Sequence, residues 1–272
     1  MQTDTALPNI LDHYGYTNSS FLHARGAVAT RHLAALLNGQ PGEKILEFGF
    51  GTGSTTAFMA ACFPQTFFYG VDISPIMFQK AGSRLRFCGL EKRCALYLVE
   101  KGAPLPFEDG FFDKIYVESV LGMQEGEDLA DSIAEIERLL KPGGRLVLNE
   151  TIWLESTTAD EIEHFNRQCL AVFNVIQANG RYPYVSDWVT LLENNGIQVQ
   201  SIQSLERIDA TGGISPYGLT IRLSTLFTWW GQLKARLHPH YRKVFATYKK
   251  DGEAFYGDKK YMEGMLMAGV KS

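Results

Sequence analysis

Between residues 40 and 150 short apolar runs alternate with stretches of helical spacing. Ile45–Phe48, Tyr69–Asp72, Phe112–Glu118 and Arg145–Asn149 are each about as long as one buried strand and read as strands. Between them, Ser74-Pro75 offers an N-cap followed by a proline suited to the first helical turn, predicting a helix that ends near Gly89. Glu127–Leu140 predicts a second helix, stopped by Lys141-Pro-Gly-Gly. Such alternation argues for a parallel sheet wound with helices on both faces.

The flanks differ. Ser20 to about Asn38 predicts an amphipathic helix, with Leu22, Val28, Leu33, Leu36 and Leu37 near one face and Gly39 as its stop. Past residue 150, Ala159–Ala178 predicts a long helix closed by Asn179-Gly180, and Ser186 caps another over Asp187–Asn195. Ile197–Leu205 and Glu263–Val270 read as strands, leaving residues 206–258 between them as an insertion. This insertion is aromatic: Phe227, Trp229, Trp230, Tyr241, Phe245, Tyr248, Phe255 and Tyr256. Leu223, Leu226, Phe227, Trp230, Leu233 and Leu237 recur at helical spacing, a stripe expected to pack into the core, with Trp229 off it.

Composition narrows the class. A net charge of −4 over 272 residues, with 21% charged, fits an ordinary globular chain without a nucleic-acid track; Lys249-Lys250 and Lys259-Lys260 are too short to make one. No run approaches the roughly 20 apolar residues of a spanning helix, so no stable membrane anchor is expected. With Gln2, Thr3, Asp4 and Thr5 at the start, a cytoplasmic address is the expectation. Cys62, Cys88, Cys94 and Cys169 lack metal-like spacing and read as reduced structural thiols; His238-Pro-His240 has no nearby carboxylate or cysteine, so no metal site is expected.

The chemistry concentrates at Ile45-Leu-Glu-Phe-Gly-Phe-Gly-Thr-Gly53, where a strand enters a loop with glycine at every second position and a helix follows from Ser54. Backbone N–H groups of such a loop and helix start can cradle a ligand. A P-loop is excluded because no Gly-Lys-Ser/Thr follows, and Ser54 stands where the dinucleotide fingerprint asks for glycine or alanine. Glu47, two residues before Gly49, would repel a pyrophosphate and welcome a cation. S-adenosylmethionine (SAM), a sulfonium nucleoside with an ammonium group, suits that charge.

Glu47-Phe-Gly49-Phe-Gly51-Thr-Gly53, preceded by Pro41-Gly-Glu-Lys44, resembles motif I of the class I SAM-dependent methyltransferases. Tyr69–Ser74, Leu105-Pro-Phe with Phe112–Glu118, and Leu139–Leu148 resemble later family motifs in family order, covering roughly residues 40–150. The resemblance implies an α/β, Rossmann-like, seven-stranded and mostly parallel sheet with an antiparallel last strand and helical lid insertions. It implies an N-terminal helical segment (1–39), a SAM-binding core (40–150), its completion with extra helices (151–205), an aromatic lid (206–258) and a last strand (259–272). Cofactor contacts would come from Glu47, Gly49, Gly51, Gly53, Asp72 with Ile73 at the ribose, Glu100, Lys101 and Gly102 near adenine, and Glu118. One departure stands out: where many relatives carry an adenine-accepting aspartate this chain has Lys101, which cannot accept a hydrogen bond. Either Glu100 substitutes for it, or backbone alone reads the adenine.

Methyl transfer from a sulfonium needs alignment more than an enzyme nucleophile. The expected acceptor is a small apolar or aromatic molecule, with His13, Tyr14, Glu118 and His164 as acid–base candidates and Tyr14, Tyr182 and Trp229 as acceptor contacts. A non-catalytic SAM-binding relative and an NAD-type oxidoreductase are the alternatives, and a homo-oligomer stays open.

Overall fold

The computed structural model describes residues 10–255 and 259–272; Tyr256 of the aromatic set and the first nine residues of the N-terminal segment lie outside them, as does the Phe255 side chain. Seven strands form one sheet in the order β3-β2-β1-β4-β5-β7-β6. β1 (Lys44–Phe48), β2 (Phe67–Asp72), β3 (Cys94–Leu98), β4 (Phe112–Glu118) and β5 (Leu140–Trp153) pair in parallel, while β7 (Met262–Lys271) runs antiparallel to β5 and to β6 (Ile197–Ser204). The expected architecture is present.

Side chains alternate across this sheet. Ile45, Phe68, Tyr116, Val147 and Leu266 face a layer made by α2 (Ala27–Leu37), α3 (Ser54–Cys62) and α4 (Pro75–Phe87). Leu46, Val71, Ile115, Val117, Leu146 and Leu148 face α5 (Asp128–Leu139) and α7 (Val185–Asn194). All of these strand residues are buried, as in a sheet covered on both faces. Ser74 caps α4 as expected, its side chain accepting the Met77 N–H.

Four helix boundaries differ from expectation, one of them at α7, which starts at Val185 behind Tyr184 and so takes in Ser186 instead of being capped by it. Residues 18–26 are not helical but form a strap with left-handed Asn18, Phe21 and Arg25, and α2 begins only after Gly26. Helical φ/ψ is given up there because the strap bonds elsewhere: the Phe21 N–H donates to Ser54 Oγ (3.1 Å) and Thr52 Oγ1 donates to the Ser19 carbonyl (2.6 Å). α2 stops at left-handed Asn38, whose N–H returns to the Ala34 carbonyl, one residue before the predicted glycine. α6 (Ala159–Phe173) ends at left-handed Asn174, so 175–184 is an irregular segment rather than more helix.

The insertion folds as α8 (Leu219–Leu237) and α9 (Pro239–Phe255). α8 packs on α3 and α4, and α9 packs on α6 and on α1 (Ile10–Tyr16). Arg84, with no exposed surface, bolts α8 down: its guanidinium donates to the Thr52 and Asn18 carbonyls (2.8 and 3.0 Å), to the Ser224 carbonyl and hydroxyl (both 3.0 Å) and to Thr228 Oγ1 (2.9 Å). One buried cation thereby joins the glycine loop, the strap and the insertion.

Candidate active site

A cavity of about 610 Å³ opens at the carboxyl ends of β1, β2 and β4, where ligands collect in sheets of this kind. Its floor is the glycine loop. The three glycines serve different purposes: a Cβ on Gly49 would meet Val120 at 2.3 Å and one on Gly53 would meet Ala81 at 2.9 Å, so both are there for packing at positive φ. A Cβ on Gly51 would meet no protein atom, and Gly51 is where the backbone lies bare along the cavity.

Asp72 shapes this loop. Its Oδ2 accepts the Gly51 N–H and its Oδ1 the Ser74 N–H, both at 2.8 Å, and each oxygen keeps a lone pair for a ligand hydroxyl. Burial raises its pKa, and those backbone bonds pull it back. Glu47 lies deeper, 3% exposed, accepting from the Thr56 hydroxyl and within reach of the Tyr116 hydroxyl. Burial pushes its pKa up to about 8 against these bonds, so without a cation beside it the carboxyl is mostly protonated at neutral pH. Repulsion of a pyrophosphate therefore rests on the other acids of the cavity, Asp72, Glu100 and Glu118, more than on Glu47.

Glu118 ends β4 as the most heavily bonded side chain of the site. It accepts from Thr55 Oγ1 (2.9 Å), Asn149 Nδ2 (3.0 Å) and Thr30 Oγ1 (3.2 Å), and pairs with His23 Nε2 at 3.2 Å. Burial alone would raise its pKa; the imidazole and the other donors outweigh that and hold it below its ordinary value. For His23 burial lowers the pKa, and the Glu118 charge and hydrogen bond more than reverse it. His23 belongs to the strap and reaches a second cavity of about 250 Å³, lined also by Leu22, Ala24, Ser119, Met123, Glu150, Thr151 and Gln177. Leu22, His23, Ser119 and Met123 line both chambers.

Glu150, 1% exposed, holds the loop after β4: its oxygens accept the N–H groups of Val120 (3.0 Å), Leu121 (3.1 Å) and Gly122 (3.0 Å). That clamp keeps Ser119 in a left-handed conformation (φ 53°) at the junction of the chambers. Burial nevertheless raises the Glu150 pKa to about 7.

The structure brings Glu47, Gly49, Gly51, Asp72, Ile73, Glu100, Lys101, Gly102 and Glu118 to the large cavity, while Gly53 caps α3 beneath it. Lys101, with 63% of its side chain exposed, pairs with Asp128 (2.6 Å), which lines the same cavity beside Glu100 and residues 102–104. The remaining candidates stand apart, for His13, Tyr14, His164, Tyr182 and Trp229 line neither cavity. His13 is buried among Tyr14, Tyr241, Phe245 and Tyr248, and His164 lies exposed on α6. Tyr182 donates to Glu127 (3.3 Å), and Trp229 is 54% exposed on α8. His23, Ser119, Glu150 and Gln177 escaped the sequence reading; the unbroken Asn149-Glu150 polar pair inside a buried strand was the available signal. Among the described residues no cluster of His, Cys, Asp and Glu could hold a metal ion.

Residues 45–144 match a family model described as a methyltransferase domain. The chain is 31% identical over 145 residues to methyltransferase GfsG of Streptomyces halstedii, an alignment covering 52% of this chain and 50% of that one. It is 32% identical to the ubiquinone/menaquinone biosynthesis C-methyltransferase UbiE of Burkholderia mallei, with 48% and 53% of the two chains covered. The chain thus spans about half the length of these curated relatives. Among solved structures, geranyl diphosphate C-methyltransferase from Streptomyces coelicolor A3(2) superposes with TM-score 0.60 at 17% identity, covering 91% of this chain and 78% of that one. The [4+2]-cyclase SpnF superposes with TM-score 0.66 at 17% identity, covering 96% and 93%. Residues 45–144 thus match a methyltransferase domain, and the chain has the fold of the solved structures it superposes on.

Proposed function

We propose that the chain transfers a methyl group from SAM to a small apolar or aromatic acceptor. The observation that carries this reading is the pair of adjacent chambers, which share Leu22, His23, Ser119 and Met123 in their walls. The larger runs from the Gly51 backbone and Asp72 past an acidic wall suited to a cationic nucleoside, and the smaller lies beyond it behind Leu22 and Met123. Bound there, SAM would supply an electrophilic methyl carbon and a neutral thioether leaving group. Gly51 and Asp72 would hold the nucleoside, and Leu11, Leu22, Met123 and Val175 would exclude water around the reacting atoms. Acceptors that carry a proton where they are methylated would meet the His23–Glu118 pair and Glu150 at the chamber junction, groups able to hold that proton. Lys101 stays at the rim of the cavity with its ammonium neutralised by Asp128, which leaves Glu100 or the backbone to accept from the adenine.

The lid assigned to 206–258 takes a modified form in this reading. None of its described residues lines either cavity; closure comes from α1, the strap and the 175–177 segment, while α8 and α9 buttress them from behind. The test is incubation with methyl-labelled SAM and a panel of phenols, quinols and prenylated compounds. Label in an organic-soluble small molecule is expected. Label confined to protein or nucleic acid, or tight NADH binding without SAM binding, would contradict the proposal.

A further inference from the structure

α8 is built inside out. Its buried face is small and polar: Ser224 and Thr228 meet Arg84, and Gly231 lies so close to the strap that a Cβ there would meet Asn18 and the Thr17 carbonyl at 2.5 Å. Ile221, Leu223 and Phe227 flank that face and pack inward, but the other large apolar residues face solvent. Leu219 (70% exposed), Leu226 (41%), Trp230 (55%), Leu233 (39%) and Leu237 (73%) form a stripe, with Trp229 (54%) at its edge. At about 100° per residue they share an arc of roughly 60° on the side opposite Ser224, Thr228 and Gly231. Of the stripe expected to pack into the core, Leu223 does so and Phe227 packs on Phe87 and Arg84, whereas Leu226, Trp230, Leu233 and Leu237 face outward. Arg84 fills the space beneath the helix: its guanidinium bonds Ser224 and Thr228 and lies 4.9 Å from the centroid of the Phe227 ring.

The charge along this segment is equally lopsided. Residues 210–250 contain seven of the chain's 26 Lys and Arg residues and none of its 30 Asp and Glu residues, in a protein of net charge −4. Arg222 and Arg236 border the stripe on one side and Lys234 on the other, all exposed. A leucine and tryptophan ridge flanked by cations on a helix lying along the protein surface is the pattern of an interfacial helix. From it we infer that α8 docks the protein on an anionic lipid bilayer, its Trp and Leu side chains entering the headgroup boundary and its cations meeting lipid phosphates. Other occupants fit less well. A second copy packed through the same face would bring the cations beside the two stripes together. Nucleic acid would meet the cations, but four leucines at the centre of the face offer it neither stacking nor hydrogen bonds. The helix does not span the bilayer, since no helix among the described residues is long and apolar enough. The inference stands independently of the methyl acceptor.

Co-sedimentation of the full chain with vesicles of phosphatidylcholine, with and without one-third phosphatidylglycerol, tests it. Binding is expected only with the anionic lipid, and a blue shift of tryptophan emission should accompany it. That shift reports on Trp229 and Trp230, because the other two tryptophans, Trp153 and Trp188, are already buried at 2% and 1% exposure. Each surface cation is worth about fivefold in such partitioning, so Lys234→Glu with Arg236→Glu should weaken it at least tenfold. Trp229→Ser with Trp230→Ser should abolish the shift; Leu237→Ser, at the exposed end of the helix, serves as a second variant should that pair fail to fold. Equal sedimentation with neutral vesicles, anionic binding without a blue shift, a dimer dispersed by the tryptophan changes, or preference for a DNA duplex over vesicles would overturn the inference.

Discussion

Removing the Glu118 carboxylate should unfasten five elements at once. Thr30 belongs to α2, Thr55 to α3, Asn149 to β5 and His23 to the strap, and Glu118 at the end of β4 accepts from all four. Glu118→Ala leaves an uncompensated imidazolium and three polar groups without their acceptor. Breaking a buried ion pair by deleting one partner costs about 3–5 kcal/mol. His23 can shed part of that cost by losing its proton, which places the expected loss near the lower end, about 3 kcal/mol. At roughly 2–4 °C per kcal/mol for a chain of this size, the melting midpoint should fall by about 6–12 °C. The pH dependence follows from the two shifts. The depressed Glu118 pKa contributes stability that is full above its ordinary 4.5 and lost as pH falls through the lower folded value. The raised His23 pKa contributes stability that is full below its ordinary 6.5 and lost as pH rises through the higher folded value. The pair is therefore worth most between about pH 4.5 and 6.5, and Glu118→Ala should narrow its stability deficit on either side of that window. Urea denaturation of wild type, Glu118→Ala, His23→Ala and the double variant gives the coupling energy. A coupling near zero, or a Glu118→Ala loss below about 1 kcal/mol, would refute the reasoning.

Other expectations follow from the same geometry. Asp72→Ala removes the acceptor of Gly51 and the one proposed for the ribose, and charge-assisted hydrogen bonds of about 1.5–3 kcal/mol translate to roughly 10- to 150-fold weaker SAM binding by titration calorimetry; a change under about twofold would place the ribose elsewhere. Glu47, protonated below about pH 8 in the free protein, should release its proton when a cation binds beside it, so SAM affinity should climb between about pH 6 and 8 and flatten in Glu47→Gln. An unchanged pH profile in that variant would remove Glu47 from the binding equilibrium. Arg84→Met should cost about 2–4 kcal/mol, seen by thermal melting, and should speed amide exchange across α8 and the strap together; exchange confined to α8 would show the two are not joined through Arg84.

Six of the seven strands, the glycine loop and Asp72 were legible because each depends on local pattern, apolar runs, glycine spacing and an acid closing β2, whereas β3 (Cys94–Leu98) went unread and the seven-stranded sheet followed from the family resemblance. The strap was not, since Leu22, Val28 and Leu33 satisfy a helical period while the backbone of 18–26 bonds to Thr52, Ser54 and Arg84, residues that spacing cannot connect. His23 and Glu150 became site residues only through that strap and through the loop after β4. α8 misled for a related reason: periodicity finds an apolar face but not which way it points, and a buried arginine on another helix decided that.

The most direct test of the central claim is a crystal structure with the demethylated cofactor bound. Its ribose should lie on Asp72, its chain along the Gly51 backbone, and its sulfur should face the junction formed by His23, Ser119 and Met123. A ligand seated outside the cavity of Gly51 and Asp72, or a sulfur turned away from the smaller chamber, would contradict the account.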